Sequence, residues 1–226
     1  MDIEIIRIIA AITMLSIATF FDLYKREVHD YLWIVFGVFS VVLLFFEPEP
    51  LQKLTALGIS MMIVPLALIA WRMGFFGGAD AFALIVLASL VPGQTLTEQT
   101  VTPFTILLNA AILSIIPLIL NITRNLIALA KKEDIFEGFS ETRSKKIAAM
   151  FFGFRAKKPK YGFAIEKTVK GKKKLQLGLP NADKDEFSDK TDVWITPGLP
   201  YLIFIFGGFL LQLFFGDILF RMFNVL

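Results

Sequence analysis

The 226-residue chain contains no cysteine and a single histidine, His29. The first absence excludes disulfides, cysteine nucleophiles and thiolate zinc sites together. The second leaves a histidine-based metal site without partners, and His29 reads as an interfacial residue with no catalytic role. Hydrophobic residues, by contrast, make up 56% of the chain, Phe alone contributes 24, and the mean hydropathy is +0.67. A soluble domain of this length has no interior large enough for that much apolar surface, so the composition indicates an integral membrane protein. A cleavable signal peptide is not expected. The first apolar stretch carries Asp2, Glu4 and Arg7 without a basic leader, and reads as a retained span.

Six apolar segments approach the length of about 17–25 residues that crosses a bilayer. They run from Ile3 to Phe21, Tyr31 to Phe46, Leu51 to Trp71, Phe76 to Val91, Pro103 to Ile122 with continuation to Ala130, and Leu199 to Phe223. Pro65 predicts a kink in the third. Pro117, Asn109 and Asn121 interrupt the apolar face of the fifth. Pro197 and Pro200 open the sixth, where proline is tolerated in a first helical turn. The expected fold is an all-α polytopic membrane protein of six transmembrane helices with a small, partly β cytoplasmic domain between helices five and six. Residues 1–130 would hold helices one to five, 131–196 the cytoplasmic domain and 197–226 helix six. Within the middle region, "YGFAIEKTVKGKKKLQLGL" (Tyr161 to Leu179) alternates around Lys170-Gly171 and reads as a β-hairpin. Asn181 to Asp192 reads as an acidic polar loop. The region is too short for a large core.

Charge sets the orientation. Lys25 and Arg26 follow segment one, Arg72 ends segment three, and Lys131, Lys132, Lys145, Lys146, Arg155, Lys157, Lys158 and Lys172 to Lys174 follow segment five. The alternate loops, "EPEP" (Glu47 to Pro50) and "PGQTLTEQT" (Pro92 to Thr100), are acidic or lack basic residues. The positive-inside rule places both termini outside and the basic loops inside a cell membrane.

That orientation brings two carboxylates to the same cytoplasmic edge: Asp22, at the inner end of segment one, and Asp80, at the start of segment four behind Gly77 and Gly78. Two close carboxylates share a proton, because both cannot ionise cheaply. Such a pair performs acid–base peptide hydrolysis without metal, cofactor or covalent intermediate. Each residue has a plainer reading when taken alone. Asp80 fits a helix N-cap, Asp22 an interfacial ion pair with Lys25 or Arg26, and the glycines helix packing. The joint placement favours catalysis.

At these residues the sequence resembles the membrane aspartic peptidases that process type IV prepilins and archaeal preflagellins. One family motif is an aspartate at the end of the first span followed by a basic residue and a hydrophobic turn, here Asp22, Arg26 and Val28. The other is Gly-x-Gly-Asp, here Gly77-Gly78-Ala79-Asp80, with Ala in the third position as in the looser archaeal form. The bacterial enzymes carry an extra cytoplasmic domain with Cys-x-x-Cys pairs and a methylating activity. Their absence points to the peptidase-only archaeal branch. Presenilins place their aspartates in consecutive late spans and carry Pro-Ala-Leu, which does not occur here. The resemblance implies catalytic Asp22 and Asp80, an active-site loop of Gly77, Gly78 and Ala79, no cofactor and no metal. It also implies a substrate: preflagellin or a type IV pilin-like precursor, whose short basic leader is cut at the cytoplasmic face.

Asp30, Glu27 or the acidic residues Asp183, Asp185 and Glu186 could attract such a leader, although solvated surface charge is the simpler reading of each. Two other functions fit parts of the sequence. An ion- or proton-coupled transporter also uses intramembrane carboxylates, but would place them near the midplane, often in repeated halves. A membrane anchor or assembly protein would use the clusters near Lys157 and Lys172 to contact anionic lipid. Lipid is an expected partner in either case, and nucleic acid is not.

Overall fold

The computed structural model describes residues 3–91, 103–169, 171–178 and 185–216. The Pro92 to Thr100 loop, Lys170, Asp183 and the end of the sixth segment beyond residue 216 lie outside them. The chain divides into two compact units, one formed by Met1–Leu113 with Pro200–Leu226 and the other by Ser114–Leu199.

The first unit is helical. Its elements are α1 (Ile3–Lys25), α2 (Asp30–Leu44), α3 (Pro50–Ser60), α4 (Ile63–Arg72), α5 (Gly78–Leu90), α6 (Pro103–Leu113) and, after the second unit, the helix Tyr201–Phe215. Ile3–Lys25, Pro50–Arg72 and Pro103–Ala130 are each long and apolar enough to cross a membrane, while Asp30–Leu44, Gly78–Leu90 and Tyr201–Phe215 are shorter apolar helices. α1 has Glu4 in its first turn and Lys25 in its last, matching the helix dipole at both ends.

The prolines break their helices one turn upstream of themselves. Pro65 lacks the N–H that would bond the carbonyl of Met61, and the helical run divides between Ser60 and Ile63. There the Val64 N–H takes the Met61 carbonyl instead, at 3.0 Å. Pro117 stands in the same relation to Leu113, the last residue of α6.

The core of this unit is built from small and branched residues of α1, α5 and α6 together with Leu202, Ile205 and Phe209. Gly208 lets the last helix approach α6 closely. A β-carbon there would come within 2.6 Å of the Ile106 carbonyl and 2.8 Å of the Ala110 nitrogen. Asn109, which looked like an interruption of an apolar face, donates to the carbonyls of Gly208 and Gly216, each at 3.4 Å.

At the opposite end of α1 from Asp22, Arg7 is completely buried. Its Nε donates to Glu47 Oε1 at 2.7 Å, and its Nη1 donates to the Leu90 carbonyl at 3.0 Å. The last carbonyls of α5 have no helical donor, so a guanidinium from α1 closes them while Glu47 balances its charge.

The second unit contains α7 (Ile115–Ala130), α8 (Arg143–Phe152) and strands β1 (Phe154–Ala156), β2 (Gly162–Ala164), β3 (Glu166–Val169), β4 (Lys172–Leu175) and β5 (Val193–Pro197). With these elements numbered, the closing helix Tyr201–Phe215 is α9. β5 lies between β1 and β2, antiparallel to both, in the registers Phe154↔Ile195 and Phe163↔Thr196. β3 and β4 form the hairpin expected around Lys170-Gly171, with Val169 opposite Lys172 and Gly171 at φ 76°.

A small core surrounds Trp194, which is fully buried. Its indole N–H donates to the Ile135 carbonyl at 2.6 Å, and its ring stacks on Phe136 at 4.7 Å. Asn125 donates to the carbonyls of Met150 (2.9 Å) and Gly153 (2.7 Å), and Asn121 to that of Phe151 (3.1 Å). Both thereby satisfy carbonyls at the end of α8. Lys145, at 3.0 Å, and the Leu175 N–H hold the Glu141 carboxyl below its usual range.

The Arg7 clasp gives the first prediction. Arg7→Met leaves Glu47 buried without its cation and should cost about 3–5 kcal/mol. Arg7→Met with Glu47→Met should recover part of that loss. Thermal unfolding in detergent measures both, and an unchanged Tm for Arg7→Met would contradict the role of the clasp.

Candidate active site

α1 ends about one turn after Asp22, at Lys25, and its ending is strained. Arg26 adopts φ 60°, a left-handed conformation that costs a non-glycine residue about 1 kcal/mol or more. In that conformation its N–H reaches the Asp22 carbonyl at 3.1 Å and closes the helix, while its guanidinium acts electrostatically on the Asp22 side chain. Asp22 is half-buried.

Asp80 is buried, at 7% exposure, in the first turn of α5. Its Oδ2 accepts the Gly77 N–H at 2.9 Å. Gly77 occupies the N-cap position and has no side chain, so the reach of Asp80 back to the cap is the half of a capping box that a glycine cap permits. The carboxylate therefore stands at the positive end of a helix.

The three residues before Asp80 have different reasons for being small. Gly77 has φ −78° and ψ 168°, which any residue can adopt. Gly78 faces the Trp71 ring, where a β-carbon would lie 3.1 Å from Cζ2. Ala79 packs against the core of the first unit. The backbone reversal between α4 and α5 uses Gly74 at φ 78°.

The first turn of α9 lies within the electrostatic reach of both aspartates. The Leu202 backbone interacts with the Asp22 carboxylate. The Leu202 carbonyl accepts from Thr19 Oγ1 at 3.4 Å, three residues before Asp22 on the same face of α1. Tyr201 stacks on Phe76 with ring centroids 5.8 Å apart, and its hydroxyl lies in the electrostatic field of Asp80. The N–H groups of a helical first turn lack intrahelical acceptors, so a nearby carboxylate is electrostatically favourable there. Thr19, Trp71, Tyr201 and Leu202 were not singled out by sequence. Only the open N–H groups after Pro200 signalled that this turn needs acceptors.

Other sequence candidates stand apart from this constellation. Glu27, between α1 and α2, and Asp30, the first residue of α2, are exposed. His29 precedes α2 and makes no side-chain capping bond. Asp185 and Glu186 belong to the second unit. Among the described residues no group of three or more His, Cys, Asp or Glu side chains is arranged to hold a metal ion.

Residues 9–119 match the type IV leader peptidase family, and residues 133–218 match the archaeal peptidase A24 C-terminus type II. With its long apolar helices, this makes the chain a membrane-associated peptidase. The two matched stretches make the chain similar to these peptidases over most of its length. The chain is similar to a preflagellin peptidase of Methanocaldococcus jannaschii, 27% identical over 230 residues, which span 93% of each chain. It is also similar to a preflagellin peptidase of Methanococcus maripaludis, 27% identical over 233 residues, which span 90% of this chain and 92% of that one.

The packing at Gly78 yields a prediction separate from chemistry. Gly78→Val should lower stability by about 1–3 kcal/mol by overpacking against Trp71. Gly78→Val combined with Trp71→Ala should lose less than the sum of the two single changes. Additive losses, measured by unfolding in detergent, would show that the contact does not limit the site.

Proposed function

We propose that the chain is an aspartic endopeptidase that removes the short basic leader from preflagellin or type IV pilin-like precursors at the cytoplasmic face of the membrane. The observation that carries this reading is that Asp22 and Asp80 both act electrostatically on the first turn of α9. Two carboxylates held around one structural element, one of them buried, suit a proton-sharing pair. One takes a proton from water as the water attacks the peptide carbonyl. The other donates its proton to the carbonyl oxygen. Collapse of the tetrahedral intermediate breaks the C–N bond, with a proton passing to the leaving amine. The pair titrates as a unit, so the two roles belong to the dyad and not to a fixed residue. The sequence suggests a loop at Gly77, Gly78 and Ala79; instead Gly77 caps α5 and Gly78 and Ala79 open its first turn, the edge against which an extended substrate would lie.

In this reading the three long and three shorter apolar helices are six spans, with both termini outside. Residues 131–196 form the cytoplasmic domain between the fifth and sixth, consistent with their basic loops. Lipid surrounds the helices. The substrate class rests on the family and on the names of the two relatives. Similarity to leader peptidases also favours hydrolysis over the transporter that intramembrane carboxylates alone would permit.

The test is cleavage of a precursor with a basic leader, in detergent or membranes. Asp22→Asn and Asp80→Asn should each lower the rate by at least about 10³-fold, as for loss of an essential acid or base, while insertion and Tm stay near wild type. Full activity in either variant would return that aspartate to a structural role.

A further inference from the structure

The β3–β4 hairpin of the second unit has two chemically distinct faces. Alternation along each strand, with the pairs Glu166↔Leu175, Lys167↔Lys174, Thr168↔Lys173 and Val169↔Lys172, assigns every side chain to one of them. Glu166, Thr168, Lys173 and Leu175 share the first face. It is the face joined to the rest of the unit. Leu175 is 2% exposed in the core around Trp194, Glu166 accepts the Trp194 N–H at 3.0 Å, and Lys173 pairs with Glu166 at 3.3 Å. The second face carries Lys167, Val169, Lys172 and Lys174, all exposed.

Lys167 and Lys174 lie directly opposite one another, and like charges at opposed positions weaken a strand pair. The nearby carboxylate on which Lys174 acts, Glu141, is already bonded to Lys145 and to the Leu175 N–H. Val169, a large apolar side chain 44% exposed, stands beside Lys172 at the hairpin tip. This face presents three ammonium groups around an exposed valine. It is well matched to a negatively charged surface with an apolar layer beneath it, where lysines meet headgroups and a valine enters the interface.

The chain supplies the reason to choose lipid over a soluble anion. The second unit begins in the apolar helix α7, within a run long enough to cross a membrane, and is followed by the apolar helix α9, so both its ends are tethered where lipid is. A basic leader would be repelled by this face, so it is not a substrate cradle. We infer that the Lys167–Val169–Lys172–Lys174 face of the hairpin is a docking surface for anionic membrane lipid. This inference does not depend on the peptidase mechanism.

The absence of cysteine makes the test clean. The full chain carrying Val169→Cys, labelled with an environment-sensitive fluorophore, is reconstituted into phosphatidylcholine vesicles with and without phosphatidylglycerol. Anionic lipid should shift the emission to the blue and reduce quenching by neutral acrylamide. High salt should reverse both changes, because the attraction is screened. Each lysine replaced by Gln should reduce the surface-bound population about fivefold, and the triple variant Lys167→Gln/Lys172→Gln/Lys174→Gln should show no response to lipid charge. Its Tm should not fall, since the substitutions remove a like-charge pair. Identical emission in the two lipids, or a response that survives the triple substitution, would overturn the proposal. So would a response to a soluble polyanion such as heparin with none to phosphatidylglycerol, which would assign the face to a soluble acidic partner.

Discussion

The hydrogen bond from Thr19 Oγ1 to the Leu202 carbonyl is the constraint around which the helical unit is organised. It fastens the first turn of α9 to the last turns of α1, where the Asp22 carboxylate interacts with the same residue. One residue earlier, Tyr201 stacks on Phe76 at the entrance to α5, two residues before Gly78 opens that helix. Two carboxylates separated by 57 intervening residues of sequence are thus referred to one short piece of backbone. The rest of the unit keeps that reference fixed. Gly208 brings α9 against α6, Asn109 binds it there, and Arg7 joins α1 to the far end of α5.

Much of this was legible in the sequence because membrane segments declare themselves by composition. The apolar runs fell where apolar helices stand, and the alternation around Lys170-Gly171 marked a real hairpin, because a two-residue turn fixes the register of its strands. Positions were less legible than existence. Pro65 predicted a kink, but the break lies one turn upstream, since the carbonyl that loses its donor belongs to Met61.

What the sequence hid were contacts between distant elements. Nothing in "VWITP" shows that β5 will lie between β1 and β2, because the pairing depends on strands some 30 to 40 residues earlier in the chain. Arg7 read only as a charge carried by the first span and is wholly buried, because its partners, Glu47 between α2 and α3 and Leu90 at the end of α5, come from distant parts of the chain. Asn121 read as a flaw in an apolar helix and, with Asn125, turns out to close the end of α8. At the site, Asp22 and Asp80 were visible as a motif, whereas Tyr201 and Leu202 had no signature of their own. A backbone N–H carries no sequence information, and an aromatic residue at the start of an apolar helix is ordinary.

Catalysis by the proposed pair requires that the side chains of residues 22 and 80 meet. In a chain without cysteine, Asp22→Cys/Asp80→Cys carries only those two thiols, and a short bifunctional thiol reagent applied in native membranes reports directly whether they reach each other. The account predicts an internal cross-link in the double variant, strengthened by a bound leader-bearing peptide and absent when one thiol is moved to the far end of α5 at Leu90. Two thiols that are each alkylated but never joined, with or without peptide, would contradict it.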